Sequence, residues 1–292
     1  MISSNNNLSN KEEMKDNLFI KFSRKTMLIV TAGCLALFSC SRDTETPETP
    51  DVPDTAKIAG TNWVPARAVR IKDTSYTFSK VVPYKDAGGK LIYDKANSET
   101  KQGKGYMYYD EKFKVVYVVD WPGIPGNAAE GAAGFKPFLF NFEKRFNITE
   151  AQAGAGVAWD IKFYDIYTAY ILPNKTGATG DQGKLRVYRT SFDELDEALN
   201  QDMVRNSVEI EMDDHATVDG WGRYRLTDHI LHPYDRTIVF RLLNGKYVKF
   251  QLMNLYRTNP QTVTDKYEYE APFYNFKYYM QEIPNSRVLK TR

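Results

Sequence analysis

From residue 57 onward, apolar and polar positions recur mostly every second residue, the period of a strand with one buried face. Residues 115–119 are an uninterrupted apolar run of strand length after Gly- and Lys-rich turn material. Phe138, Phe140 and Phe142 alternate with Leu139 and Asn141, and Trp159, Ile161 and Phe163 alternate with Asp160, Lys162 and Tyr164. Val208, Ile210 and Met212 alternate with Glu209, Glu211 and Asp213, which places the Met212 side chain on the apolar face. Two strand-like runs, 237–243 and 246–256, flank Asn244-Gly245. Asn-Gly supplies the two positive φ values of a type I′ turn, so this segment predicts a hairpin. Tyr274, Phe276, Tyr278 and Met280 predict a closing strand. One helix is predicted: Ser191 and Glu194 form a capping box, with Phe192, Leu195, Ala198 and Leu199 at helical spacing behind it. The Gly- and Ala-rich stretches 123–134 and 151–156 read as loops. With no repeat at a fixed period, the expected fold is all-β over residues 57–292, mainly antiparallel sheets with one or two short helices.

The beginning of the chain has a different pattern. Lys21, Arg24 and Lys25 precede an uncharged run, 27–38, that is too short to span a bilayer. A basic cluster followed by a short apolar run predicts a signal peptide over residues 1–39, with Met14 and Met27 as alternative starts to Met1. The run ends Leu37-Phe38-Ser39-Cys40, which resembles the lipobox of bacterial lipoproteins, where the Cys carries palmitate and other acyl chains. Each buried CH₂ contributes ~0.8 kcal/mol, so several chains on Cys40 give firm attachment. Residues 40–56, rich in Thr, Pro, Asp and Glu, predict an extended lipidated tether. The expected location is the outer membrane, facing the cell surface and held by the lipid anchor alone. A buried N-terminal helix with a chance Cys is the alternative.

Composition narrows the function classes. The 39 basic and 37 acidic residues nearly balance, and loss of residues 1–39 removes five basic and three acidic ones, leaving 34 of each. Nothing in that balance calls for nucleic acid as a partner. Aromatics make up 14% of the chain, with 20 Tyr and 16 Phe, which favours strands and predicts wide aromatic surfaces. The two cysteines, Cys34 and Cys40, both fall in the leader, which excludes a disulfide scaffold or a Cys-rich zinc site. No phosphate-binding loop, Gly-x-Ser-x-Gly elbow or His-Glu-x-x-His pair occurs, and Gly154-Ala155-Gly156 precedes a strand rather than following one. The expectation is a protein that is not an enzyme; a hydrolase with a carboxylate pair is the weakest of the readings.

All three histidines, His215, His229 and His232, fall in one stretch with Met212, Trp221 and Tyr224. Imidazole is the commonest metal ligand, and a thioether suits haem iron or copper. Read from the residues alone, the pattern favours water-exposed histidines of turns or strand ends, one of them before Pro233, with Met212 ordinary core.

Three segments resemble the HmuY family of haem-binding lipoproteins from Bacteroidetes: Trp159-Asp160-Ile161-Lys162-Phe163, the hairpin through Asn244-Gly245 to Leu255-Tyr256, and Phe273-Tyr274-Asn275-Phe276-Lys277-Tyr278. The resemblance implies a hand-like all-β domain that takes haem at the cell surface and passes it to an outer-membrane receptor. It also implies axial ligands between the Trp-Asp strand and the hairpin, an interval that holds Met203, Met212, His215, His229 and His232. Asp213-Asp214-His215 is similar to the acidic turn that carries one family ligand; no residue aligns with the second. A haem slot would use Trp221, Tyr224 and Tyr234 as walls and Arg223 or Arg225 for the propionates. The alternative is a lipoprotein that binds a glycan, another apolar cargo or another partner through its Tyr and Trp surface, without haem.

Overall fold

Most of the chain is extended and paired, as its period-two patterning requires. In a computed structural model, the described residues are 63–82, 84–92, 98–124, 134–199, 203, 205–212, 219–260, 262–264 and 269–292. The expected signal peptide, Cys40, the expected tether and His215 therefore lie outside the described residues, as does most of the Gly- and Ala-rich 123–134 stretch.

In chain order the elements begin with β1 (Val69–Val81), β2 (Tyr84–Lys85), β3 (Leu91–Ile92), β4 (Ser98–Asp110), β5 (Val115–Pro122), β6 (Phe138–Asn141) and β7 (Phe146–Ile148). A short helix, α1 (Glu150–Gly154), precedes β8 (Ile161–Tyr164), and a 3₁₀ turn over Ile166–Thr168 leads into β9 (Tyr170–Pro173) and β10 (Lys184–Tyr188). Then come β11 (Val208–Glu209), β12 (Glu211–Met212), β13 (Gly222–Arg225), β14 (Ile230–Pro233), β15 (Thr237–Arg241), β16 (Tyr247–Asn254) and β17 (Phe273–Met280). The larger sheet has the order β1-β4-β5-β17-β16-β15-β10, and a five-stranded sheet has the order β11-β9-β8-β6-β7, both antiparallel throughout. β12-β13-β14 form a small third sheet in which only β12 and β13 run parallel. The fold is all-β.

The two large sheets meet through aromatic rings. Phe138 stacks on Tyr274 at 4.0 Å, Phe140 meets Phe276 edge-on at 5.2 Å, and Phe142 and Phe163 lie 4.8 Å from Tyr278 and Tyr274. Such pairs contribute about 0.5–1.5 kcal/mol each beyond the area they bury. The other face of the larger sheet is also covered. One cluster there joins Val64, Tyr117 and Phe192, and another joins Leu195, Ala198, Val239 and Leu289. This double coverage is why 115–119 and 238–240 are continuous apolar runs. The aromatic count therefore builds core: among the aromatic rings whose exposure is described, Tyr84 is the one exposed, and the expected wide aromatic surface is not found there.

The helix forms elsewhere than expected. Residues 191–199 make only a turn, although Ser191 Oγ does bond Glu194 at 2.9 Å. Tertiary pairing outweighs the capping box: Leu289 N–H donates to the Asp196 carbonyl, Ala198 N–H donates to the Arg287 carbonyl, and Glu197 bridges to Val288. The Leu195 carbonyl accepts from Lys249 Nζ at 3.0 Å. The one α-helix among the described residues is α1, in the 151–156 stretch read as a loop. Thr149 caps the Gln152 N–H there, and Gln152 caps Thr149 in return.

The hairpin is present, with Arg241 opposite Tyr247, but its turn differs from type I′. Only Gly245 has positive φ, 77°, while Gly245 N–H donates to Leu242 O and Leu242 N–H to Lys246 O. That is a type I turn closed by a left-handed glycine, the three-residue alternative to a two-residue loop. Gly245→Ala is expected to cost about 1–2 kcal/mol, the penalty of the left-handed region for an L-residue, read as a fall in the urea midpoint.

Two bulges flank the middle of β17. Phe276 pairs with Val118 while Tyr274 pairs with Trp121, so β5 carries one residue too many opposite Asn275. On the other side, Leu252 pairs with Phe276 and Asn254 with Asn275, so Met253 is extra on β16. Asn275, fully buried, stitches both irregularities. Its Oδ1 accepts from Asp120 N–H at 2.8 Å, and its Nδ2 donates to the Tyr256 and Phe273 carbonyls.

Candidate functional site

The small sheet carries most of the residues singled out by sequence, and a buried carboxylate holds it in place. Glu211 Oε1 accepts from Gly220 N–H and Arg236, and its Oε2 accepts from Tyr234 Oη at 2.8 Å. Burial raises the Glu211 carboxyl, but these donors outweigh it and hold the group below its usual range. Beyond Glu211 the strand turns outward, and Met212 is 44% exposed. The alternation that would have put Met212 on the apolar face stops at Ile210, because Glu211 takes the buried position.

The other predicted residues separate into structural and available ones. Trp221 is core, 2% exposed, with its indole N–H donating to the Ala169 carbonyl, and it lines neither of the two clefts described below. Met203 is also core, beside Leu195 and Val239. Tyr224 is buried, and its hydroxyl lies 2.7 Å from His229 Nδ1. His229 occupies the left-handed turn position between β13 and β14, with φ 58°. Arg225 pairs with Asp228 in that turn, which occupies the guanidinium proposed for a propionate. Arg223 stands directly across from His232.

His232 remains. Its Nε2 is buried with no hydrogen-bond partner. Burial, then the Arg225 and Arg223 charges, push the imidazole below its usual range against the opposing pull of Asp228, so it is neutral near pH 7. A neutral imidazole with a free nitrogen is what a metal or a hydrogen-bonding ligand requires. An orphaned buried polar atom costs about 1–3 kcal/mol, so its presence calls for an explanation.

His232 lines a cleft of about 270 Å³ together with Leu231 and Pro233 of β14. The facing wall is the end of β16 and the turn after it, with Met253, Asn254, Asn259, Pro260 and Val263, and Trp63 completes the lining. Local structure explains the wall. Met253 is the extra residue of the β16 bulge, a device that re-aims a side chain. Asn254 then accepts from the Leu255 and Tyr256 N–H groups and donates to the Pro260 carbonyl. Thr258 and Asn259 follow at φ 68° and 45°, sparsely populated values held by Asp120, whose carboxylate accepts from Thr258 N–H at 2.7 Å. Tyr256 Oη accepts from Leu231 N–H, tying the two walls together. Trp63 contributes a second orphan, its buried indole Nε1 having no partner.

A larger, more polar cleft of about 500 Å³ adjoins the first, sharing Pro233 and Met253. Tyr234, Asp193, Asp235, Gln251 and Lys277 line it. Gln251 donates to Asp235, and Lys277, pushed down by burial, lies 3.4 Å from Asp193.

Asp160, in the Trp-Asp segment that carries the family resemblance, has a structural role. Its Oδ2 accepts from Phe142 N–H at 2.8 Å, and burial pushes the carboxyl up to about 6. Among the described residues no group of three His, Cys, Asp or Glu side chains is placed to hold a metal ion, and no helix is long and apolar enough to cross a membrane. Sequence reasoning missed Trp63, Met253 and Val263, which come from distant parts of the chain. No family model matches this sequence, and no curated protein does.

Proposed function

We propose that this chain is a cell-surface lipoprotein that binds haem and delivers it to an outer-membrane receptor, without catalysing a reaction. The observation that carries the reading is His232: a neutral imidazole whose buried Nε2 has no partner, on the wall of a cleft that Met253 lines from the facing side. Nitrogen and thioether are the donors that haem iron accepts from proteins. The cleft falls just below the roughly 300–1,000 Å³ of ordinary ligand pockets, so it would hold only part of a macrocycle. Arg223 pairs opposite His232 in the β13–β14 ladder, and its positive charge is felt at the imidazole. The basic-apolar leader ending at Cys40 supports export and lipid anchoring.

A haemin titration of the purified protein tests the reading. A shifted Soret band saturating at one equivalent is expected, with affinity falling at least tenfold in His232→Ala. An unshifted spectrum at micromolar haemin would sink haem binding. Full affinity in His232→Ala, with loss in His215→Ala, would move the ligand to the other histidine.

A further inference from the structure

The cleft beside His232 holds a second buried nitrogen without a partner, Trp63 Nε1. An indole N–H is a donor only, so the one group that satisfies it is a hydrogen-bond acceptor. None of the cleft's own side chains does so, and no acidic residue lines it. The carboxylates Asp193 and Asp235 line the neighbouring polar cleft instead. Across the β13–β14 ladder His232 faces Arg223, and the charges of Arg223 and Arg225 are both felt at its imidazole, with Asp228 offsetting part of them. A buried donor without an acceptor, in a cleft whose lining holds no acid, selects for a ligand oxygen, and a carboxylate oxygen is the stronger acceptor.

We infer that Trp63 is a specificity-determining residue: its Nε1–H donates to a carboxylate of an otherwise apolar, planar ligand seated between β14 and the 253–260 turn. Both orphan nitrogens are shielded from water, so the incoming carboxylate must displace part of the lining. Met253, an unbranched and rotatable side chain at the bulge, is the part able to yield. The inference deepens the haem reading but rests on the cleft, not on iron: an iron-free porphyrin with the same carboxylates should be recognised as well.

Protoporphyrin IX and its dimethyl ester, which share the ring and differ in the free carboxylates, are the probes, titrated into the full chain by porphyrin fluorescence. The wild type should bind the diacid at least tenfold more tightly than the ester. Trp63→Phe should bring that ratio below threefold with the ester's affinity little changed. In the ¹⁵N-labelled wild type, one indole N–H signal should move on adding the diacid and stay in place with the ester. Equal affinity for the two porphyrins, an undiminished ratio in Trp63→Phe, or indole signals unmoved by the diacid would each overturn the assignment. Should haemin show no Soret shift while the diacid is still preferred through Trp63, ligation of iron falls and carboxylate recognition stands.

Discussion

Asn275→Ala is expected to lower the unfolding free energy by about 4 kcal/mol, seen as a large fall in the urea midpoint with little change in slope. The side chain is fully buried at the point where β5 and β16 both carry an extra residue against β17. Its removal orphans the Asp120 N–H and leaves the Tyr256 carbonyl without its Asn275 donor. The orphaned Asp120 N–H costs about 1–3 kcal/mol, the Tyr256 carbonyl keeps its Asn259 donor, and the vacated volume adds the rest. The effect should reach the cleft, because Tyr256 ties its two walls together and Asp120 holds Thr258. A loss below about 1 kcal/mol would show that the bulged backbone finds other partners, and the account of β17 as a stitched centre would fail.

The second large effect concerns pH. Lys249 is fully buried on β16, donating to the Leu195 carbonyl and to Thr291 Oγ1 at 2.7 Å, with its ammonium 4.5 Å over the Phe192 ring. Burial pushes it from an ordinary 10.5 down to about 7, reinforced by Lys277 and Arg292 and opposed by Asp193 and Asp196. Between about 7 and 10.5 the unfolded chain holds a proton on this residue that the folded chain has released, so stability rises with pH across that window. Below about pH 7 the amine is charged in both states, and the burial penalty is at its maximum and constant. Relative to Lys249→Met, the wild type should gain about 3 kcal/mol between pH 7 and pH 9.5, measured as the difference between two series of urea unfolding curves. Parallel pH profiles for the two proteins would refute a depressed lysine at this position.

These two residues show where period-two patterning stops being informative. Alternation locates β6, β8, β16 and β17, because aromatic and β-branched residues at every second position must face the opposing sheet, and uninterrupted apolar runs locate β5 and β15. The pattern cannot mark a bulge, since one extra residue leaves the composition of a strand unchanged. Asn275 and Met253 therefore look unremarkable in the chain, although one holds the bulges and the other lines the cleft. The helix shows the same limit: Ser191 and Thr149 both begin a capping-box pattern, and contact with residues 287–289 decides that only the second becomes helical. At the site, His232 was visible as one of three clustered histidines. Trp63 and Val263 were not, because nothing local distinguishes a residue that reaches a cleft from one that packs in a core. Trp221 and Met212 had the right chemical type, but one is buried and the other faces water.

β1 ends the larger sheet, and among the described residues no strand pairs with its outer side. A thirteen-residue free edge is a template on which a second molecule could add a strand, the first step toward sheet-to-sheet aggregation. Two features described along it work against that outcome. The register slips between Arg70 and Lys72, which breaks the regular spacing of its outward N–H and C=O groups. Arg70, Lys72 and Asp73 fall in the same stretch as the exposed Val69 and Ile71, so an incoming strand would have to desolvate charge to reach apolar surface. At this edge, then, the guard against copies sticking together is a few residues near the start of β1, away from the aromatic core that joins the two sheets.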